Sequence, residues 1–108
     1  TVSGGMLENR RKYVRVPLQT EVICTVGSRT IRGISWNLSQ GGMQVEANDL
    51  HVKDTVRLSF RLPVSGTSID VIGTVAWAGE NRQGIQFTTL SPPTQQSIRK
   101  YIVAVEKD

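Results

Sequence analysis

The chain has 108 residues, with 13 Lys and Arg against 9 Asp and Glu, for a formal charge of +4 at pH 7. That length holds one domain around one modest core. Four of the cations, Arg10, Arg11, Lys12 and Arg15, fall within six residues that contain no acid, and outside them nine cations meet nine acids; a nucleic-acid coat or a polybasic membrane anchor needs a longer charge block or a charged face, so the asymmetry points instead to a local anion site.

In chain order, Thr1 to Gly5 lacks an initiator Met and ends in Ser-Gly-Gly, so it is expected to be an expression remnant before a native start at Met6; the alternative is a module cut from a longer chain. The basic stretch comes next, within a segment spanning residues 9–17. Period-two alternation then takes over, the mark of strands with one buried face. Glu21 to Val26 is the first predicted strand, with Val22, Cys24 and Val26 on one face, and Gly27-Ser28 turns the chain. In Ile31 to Leu38 the residues Ile34, Trp36 and Leu38 are expected to face the core, and Ser35, Asn37 and Ser39 the outside. Gln40, Gly41 and Gly42 make a tight connection to a short strand around Met43 and Val45.

After a polar loop, Val56, Leu58, Phe60 and Leu62 alternate with Arg57, Ser59 and Arg61, the clearest strand pattern in the chain. Ile69 to Ala78 is the next predicted strand, with Ile69, Val71, Val75 and Trp77 on one expected face and Gly73 as a bend or bulge. Ile85 and Phe87 mark the last strand. Ser91 and Pro92 read as an N-cap and first helical position, and Ile98, Tyr101, Ile102 and Val105 carry helical spacing, which predicts a short amphipathic helix over 92–105. Six short strands separated by turns predict an all-β domain with one terminal helix: a six-stranded antiparallel barrel over residues 18–90, closed by that helix.

The residue inventory speaks against catalysis. His51 is the single histidine and lies in a polar loop, no nucleophile motif accompanies it, and Cys24, the single cysteine, sits on an apolar strand face where a buried inert thiol is the default. One cysteine makes no intramolecular disulfide, so a reducing compartment is expected. No His/Cys pair has metal-ligand spacing, and no apolar run approaches the roughly 20 residues of a membrane span.

Two features remain. Arg11 and Arg15 stand four apart, and each guanidinium offers a planar fork of donors suited to phosphate oxygens or a guanine edge; the alternative is a solvated tail. Asn37 and Ser39 are spaced to address one ligand from one strand face, with Gly42 placed where the backbone takes positive φ or comes close to a neighbour; the alternative is a hairpin in which Asn and Ser cap the turn.

With Arg-x-x-x-Arg on Arg11 and Arg15, and Asn-x-Ser-x-x-Gly on Asn37, Ser39 and Gly42, in this order on a small β-rich chain, the sequence resembles the PilZ domain family, bacterial receptors for cyclic di-GMP. The likeness runs from about Asn9 to Val103, through Val75-Ala76-Trp77, Gly84-Ile85-Gln86-Phe87 and the helix. Asn stands at position 37 where Asp is commoner, which loses a charged acceptor for guanine N–H groups.

The resemblance implies a split-barrel fold and a cytoplasmic bacterial receptor with no enzymatic activity. Arg11 and Arg15 would clamp guanine edges and phosphates, Asn37 and Ser39 would bond a guanine and the adjoining phosphate, and Gly41 and Gly42 would let the backbone come close. Arg10, directly before the motif, is associated in such proteins with an intercalated pair of ligand molecules. Trp77 would flank the ligand or pack in the core. Ordering of the basic segment across the barrel mouth would present a changed surface to a downstream protein. The competing readings are a PilZ-like adaptor without nucleotide binding and a β-barrel for single-stranded nucleic acid; the latter needs aromatic platforms beside a basic groove, and neither DNA nor RNA binding nor membrane insertion is expected.

Overall fold

The computed structural model describes residues 14–106. The expected remnant at 1–5 and the residues Arg10, Arg11 and Lys12 lie outside that range.

The chain forms β1 (Val16–Pro17), β2 (Glu21–Val26), β3 (Arg29–Leu38), β4 (Gly42–Glu46), β5 (Thr55–Arg61), β6 (Ser68–Ala78), β7 (Gln83–Thr89) and the helix α1 (Pro92–Glu106). Neighbours run β3-β2-β5-β6-β7-β4, all antiparallel, and β4 pairs back onto β3 to close a six-stranded barrel. Closure leaves the six strands without a free edge. Where alternation is regular it puts the apolar set inside: Val22 and Cys24 of β2, Val56, Leu58 and Phe60 of β5, and Val71 and Val75 of β6 are all buried.

β1 is too short to carry a periodicity and is absent from the sequence reading. It pairs with β3 at Val16–Leu38 and Pro17–Asn37, beyond the point where β2 leaves the same strand at Glu21–Ile34. The bend between β1 and β2 is pinned from β3. The Ser35 hydroxyl donates to the Leu18 carbonyl (2.6 Å) and accepts from the Thr20 N–H (3.0 Å), while the Ser35 N–H donates to the Thr20 carbonyl (2.9 Å).

That clamp corrects the expected facing of β3. Ser35 is 1% exposed and inward, whereas Ile34 and Trp36 are about half exposed. The reason is a bulge: Ser35 opposes Val45 and Asn37 opposes Gln44, so Trp36 is an extra residue on β3, and the phase reverses across it to bring Leu38 into the core. Outside the barrel Trp36 is not idle surface. Its Nε1 donates to Glu46 Oε1 (3.2 Å), and the Arg82 guanidinium lies 4.0 Å from its ring centroid, a cation–π contact.

A second bulge, at Ala76, acts the same way on β6. Val75 opposes Ile85 and Trp77 opposes Gly84, so Trp77 leaves the inward row of Ile69, Val71 and Val75 and is 42% exposed. Gly73 does adjoin an irregularity, between the Ile72–Thr89 and Gly73–Phe87 pairs, where Thr88 of β7 is the extra residue.

The helix begins as its residues predict. Ser91 Oγ accepts from the Thr94 N–H (3.3 Å), capping the first turn, and Pro92 occupies the first helical position. Ile98 and Ile102 join the core, α1 packs against β6 and β1, and the Tyr101 hydroxyl donates to the Pro17 carbonyl (3.2 Å), tying the helix to β1.

Cys24 sits in the centre of β2 with no exposed surface, and burial pushes its thiol from 9.0 up to about 11. Well below pH 9 the thiol is neutral in both folded and unfolded chains. Between pH 9 and 11 the unfolded chain ionises while the folded one does not, so stability falls as pH rises, by on the order of 3 kcal/mol over the two units. Denaturant melts should therefore show a steeper alkaline loss for the wild type than for Cys24→Ala, and the native thiol should resist a thiol reagent at pH 8. Equal slopes, or rapid labelling of the folded protein, would contradict this placement.

Candidate functional site

The β3–β4 connection is built around Ser39. Its hydroxyl accepts from the N–H groups of Gly41 (3.3 Å) and Gly42 (3.1 Å) and lies 3.1 Å from the Gly42 carbonyl, to which its proton is directed; its N–H donates to that same carbonyl (2.8 Å). The side chain is 2% exposed. Asn37 and Ser39 therefore do not emerge together on an open face: Ser39 is the internal cap of a tight turn, and Asn37 is half-buried on the outer side of the barrel wall. The bulge at Trp36 sets this phase. Gly42 has no positive φ. It is needed for close approach, since a Cβ there would collide with the Ile85 carbonyl of β7.

Arg15 precedes β1, and the fixing of β1 by β3 and α1 aims it at the same corner. Its Nη1 donates to Asn37 Oδ1 at 3.0 Å, and the guanidinium is exposed. Arg10 and Arg11 lie outside the described residues.

Across the barrel wall the strand registers align one outward row: Asn37 opposes Gln44, Gln44 opposes Gly84, and Gly84 opposes Trp77. The Trp77 indole folds over Gly84, where a Cβ would strike its Nε1 and Cε2. One step along, Gly42 opposes Gln86, which opposes Thr74. Between these rows runs an open groove of about 370 Å³ whose lining includes Arg15, Ser39, Gly41, Gly42, Trp77 and Gln86. The structure thus brings Arg15, the Ser39–Gly42 turn and Trp77 into one groove with Asn37 beside it. The groove lies on the outer wall of the barrel.

The arrangement suits a planar anionic ligand. It offers a cation, an exposed indole face for stacking and an amide, in a concavity whose glycines keep the strands low. Gln86 is missed by sequence reasoning because a polar residue between Ile85 and Phe87 reads as ordinary solvent face; the signal for it is that it shares a phase with the glycines at 84 and 42. Among the described residues no group of three or more His, Cys, Asp or Glu stands ready to hold a metal, and no helix is long and apolar enough to cross a membrane.

The family model for the PilZ domain matches residues 9–104. No curated protein matches the sequence. Among solved structures, the Bacillus subtilis inhibitor of motility MotI/DgrA superposes with a TM-score of 0.80 at 23% identity, covering 91% of this chain and 51% of that one. The PilZ domain of CeSA, from a cellulose-synthesizing bacterium, gives 0.68 at 21% identity over 86% of this chain and 98% of its own. The PilZ domain of Escherichia coli YcgR, solved with c-di-GMP, gives 0.73 at 17% identity over 91% and 92%. The chain thus covers nearly all of the CeSA and YcgR PilZ domains but only about half of MotI/DgrA. At these identities the superpositions speak for the fold, and the family model for membership: the chain belongs to the PilZ domain family.

Proposed function

We propose that this chain is a receptor for cyclic di-GMP, binding it along the groove between the Ser39–Gly42 turn and Trp77. The observation that carries the reading is the convergence in one groove of Arg15 with that turn and with Trp77, three elements far apart in the chain. The ligand chemistry fits them: cyclic di-GMP presents two phosphates and two guanines, the targets a guanidinium fork prefers, and a purine stacks on an indole face. That the YcgR PilZ domain carries c-di-GMP supports the choice among cyclic dinucleotides.

In this reading Arg15 and Arg11 take phosphate and guanine edges, Asn37 holds Arg15 in place, Ser39 keeps the Gly41–Gly42 backbone low, and Trp77 flanks a base. Arg10 joins them and brings a second, intercalated ligand molecule. Binding orders the basic segment along the barrel wall, and a partner protein reads the changed surface; no catalysis is involved. Calorimetry with cyclic di-GMP tests this directly. Two ligands per chain and no competition from an oligonucleotide are expected; saturation at one ligand removes the role given to Arg10, and absence of heat removes the receptor.

A further inference from the structure

Guanine exposes donors, N1–H and N2–H, along its Watson–Crick edge, and these need acceptors. Arginines supply none. The acceptors around the groove are largely engaged already: Asn37 Oδ1 accepts from Arg15, Ser39 Oγ accepts from the Gly41 and Gly42 N–H groups, the Gly42 carbonyl accepts from Ser39, and the Gly41 carbonyl accepts from the Phe87 N–H (2.9 Å). Gln86 differs from all of these. It is exposed, lines the groove, lies opposite a glycine that leaves its side chain uncovered, and no described residue hydrogen-bonds its amide. It also sits two residues along β7 from Gly84, on the same face as the folded indole of Trp77, which is a separation of about 7 Å at the usual rise per residue. A base laid against Trp77 brings its edge to that amide.

We propose that Gln86 is a specificity-determining residue of the groove, its Oε1 accepting from the N1–H and N2–H of a guanine flanked by Trp77. The inference rests on the reading of the chain as a cyclic di-GMP receptor and adds a residue outside both sequence motifs. It supplies the acceptor that Asn in place of Asp at position 37, itself engaged by Arg15, does not.

The test compares wild type, Gln86→Ala and Gln86→Glu by calorimetry with cyclic di-GMP, with thermal melts as a control for folding. Gln86→Ala should bind about tenfold or more weakly, within the range of a lost bidentate base contact. Gln86→Glu should bind at least as tightly as wild type, because a carboxylate is a stronger acceptor for the same two donors. Were Gln86 a phosphate donor instead, Gln86→Glu would be the weakest of the three through charge repulsion, and that order overturns the proposal. Unchanged affinity of Gln86→Ala also overturns it while leaving the receptor intact. Failure of the wild type to bind removes the receptor reading and this assignment with it.

Discussion

Arg15→Ala is expected to weaken cyclic di-GMP binding by two orders of magnitude or more while leaving the melting temperature close to that of the wild type. The two halves of this expectation have separate causes. The guanidinium is exposed and its one hydrogen bond to a described residue, to Asn37, lies at the surface, so its loss falls within the roughly ±0.5 kcal/mol usual for surface substitutions. The neighbouring Val16 remains in the core and β1 keeps its pairing with Leu38 and Asn37. Towards the ligand, a fork that makes two charge-assisted hydrogen bonds at about 1.5–3 kcal/mol each forfeits roughly 3–6 kcal/mol, and each 1.4 kcal/mol is a factor of ten. Arg15→Lys separates charge from geometry: an ammonium retains attraction to phosphate but not the fork, so it should fall between the other two. Wild-type affinity in Arg15→Ala, or a melting point that collapses with it, would assign Arg15 to the fold and remove it from the site.

Much of the architecture was legible because alternation was regular. The predicted strand at Glu21–Val26 has those bounds in the structure, the β5 pattern buries Val56, Leu58 and Phe60 as expected, and the helix starts at the capped Pro92. Two positions defeated the pattern for one reason. A bulge inserts an unpaired residue and reverses the facing of the residues beyond it, and nothing in the hydrophobicity of Trp36 or Trp77 distinguishes a large residue inside a barrel from one outside it. The partners that hold Trp36 outside, Glu46 and Arg82, are distant in sequence and become neighbours only when the barrel closes. The motif at Asn37, Ser39 and Gly42 falls at the groove, but the division of labour within it was not legible. A serine two residues after an asparagine reads as a second ligand group, and the structure makes it the internal cap of the turn. β1 lay below any periodicity, yet it is the element that delivers Arg15.

The same groove contains two glycines whose replacement by alanine should have opposite consequences. A Cβ at Gly42 meets the carbonyl oxygen of Ile85, a backbone atom of the neighbouring strand in a closed ring. Neither partner can rotate away, so β4 and β7 must part, and a loss of about 3 kcal/mol or more is expected, a large share of the roughly 5–15 kcal/mol of a small domain. Each kcal/mol lowers the melting temperature by roughly 4–8 °C at this size. At Gly84 the obstacle is the indole of Trp77, a partly exposed side chain that can swing into solvent. Gly84→Ala should therefore melt within a few degrees of wild type, show red-shifted tryptophan emission, and bind cyclic di-GMP about as weakly as Trp77→Ala. Combining the two substitutions settles whether the indole is the agent. If Gly84 matters only by seating Trp77, the double variant binds no worse than Trp77→Ala alone, because the second change removes an interaction already gone. Additive losses would place Gly84 itself against the ligand, and a Gly42→Ala protein as stable as wild type would mean that β4 and β7 are not in register at Gly42 and Gln86.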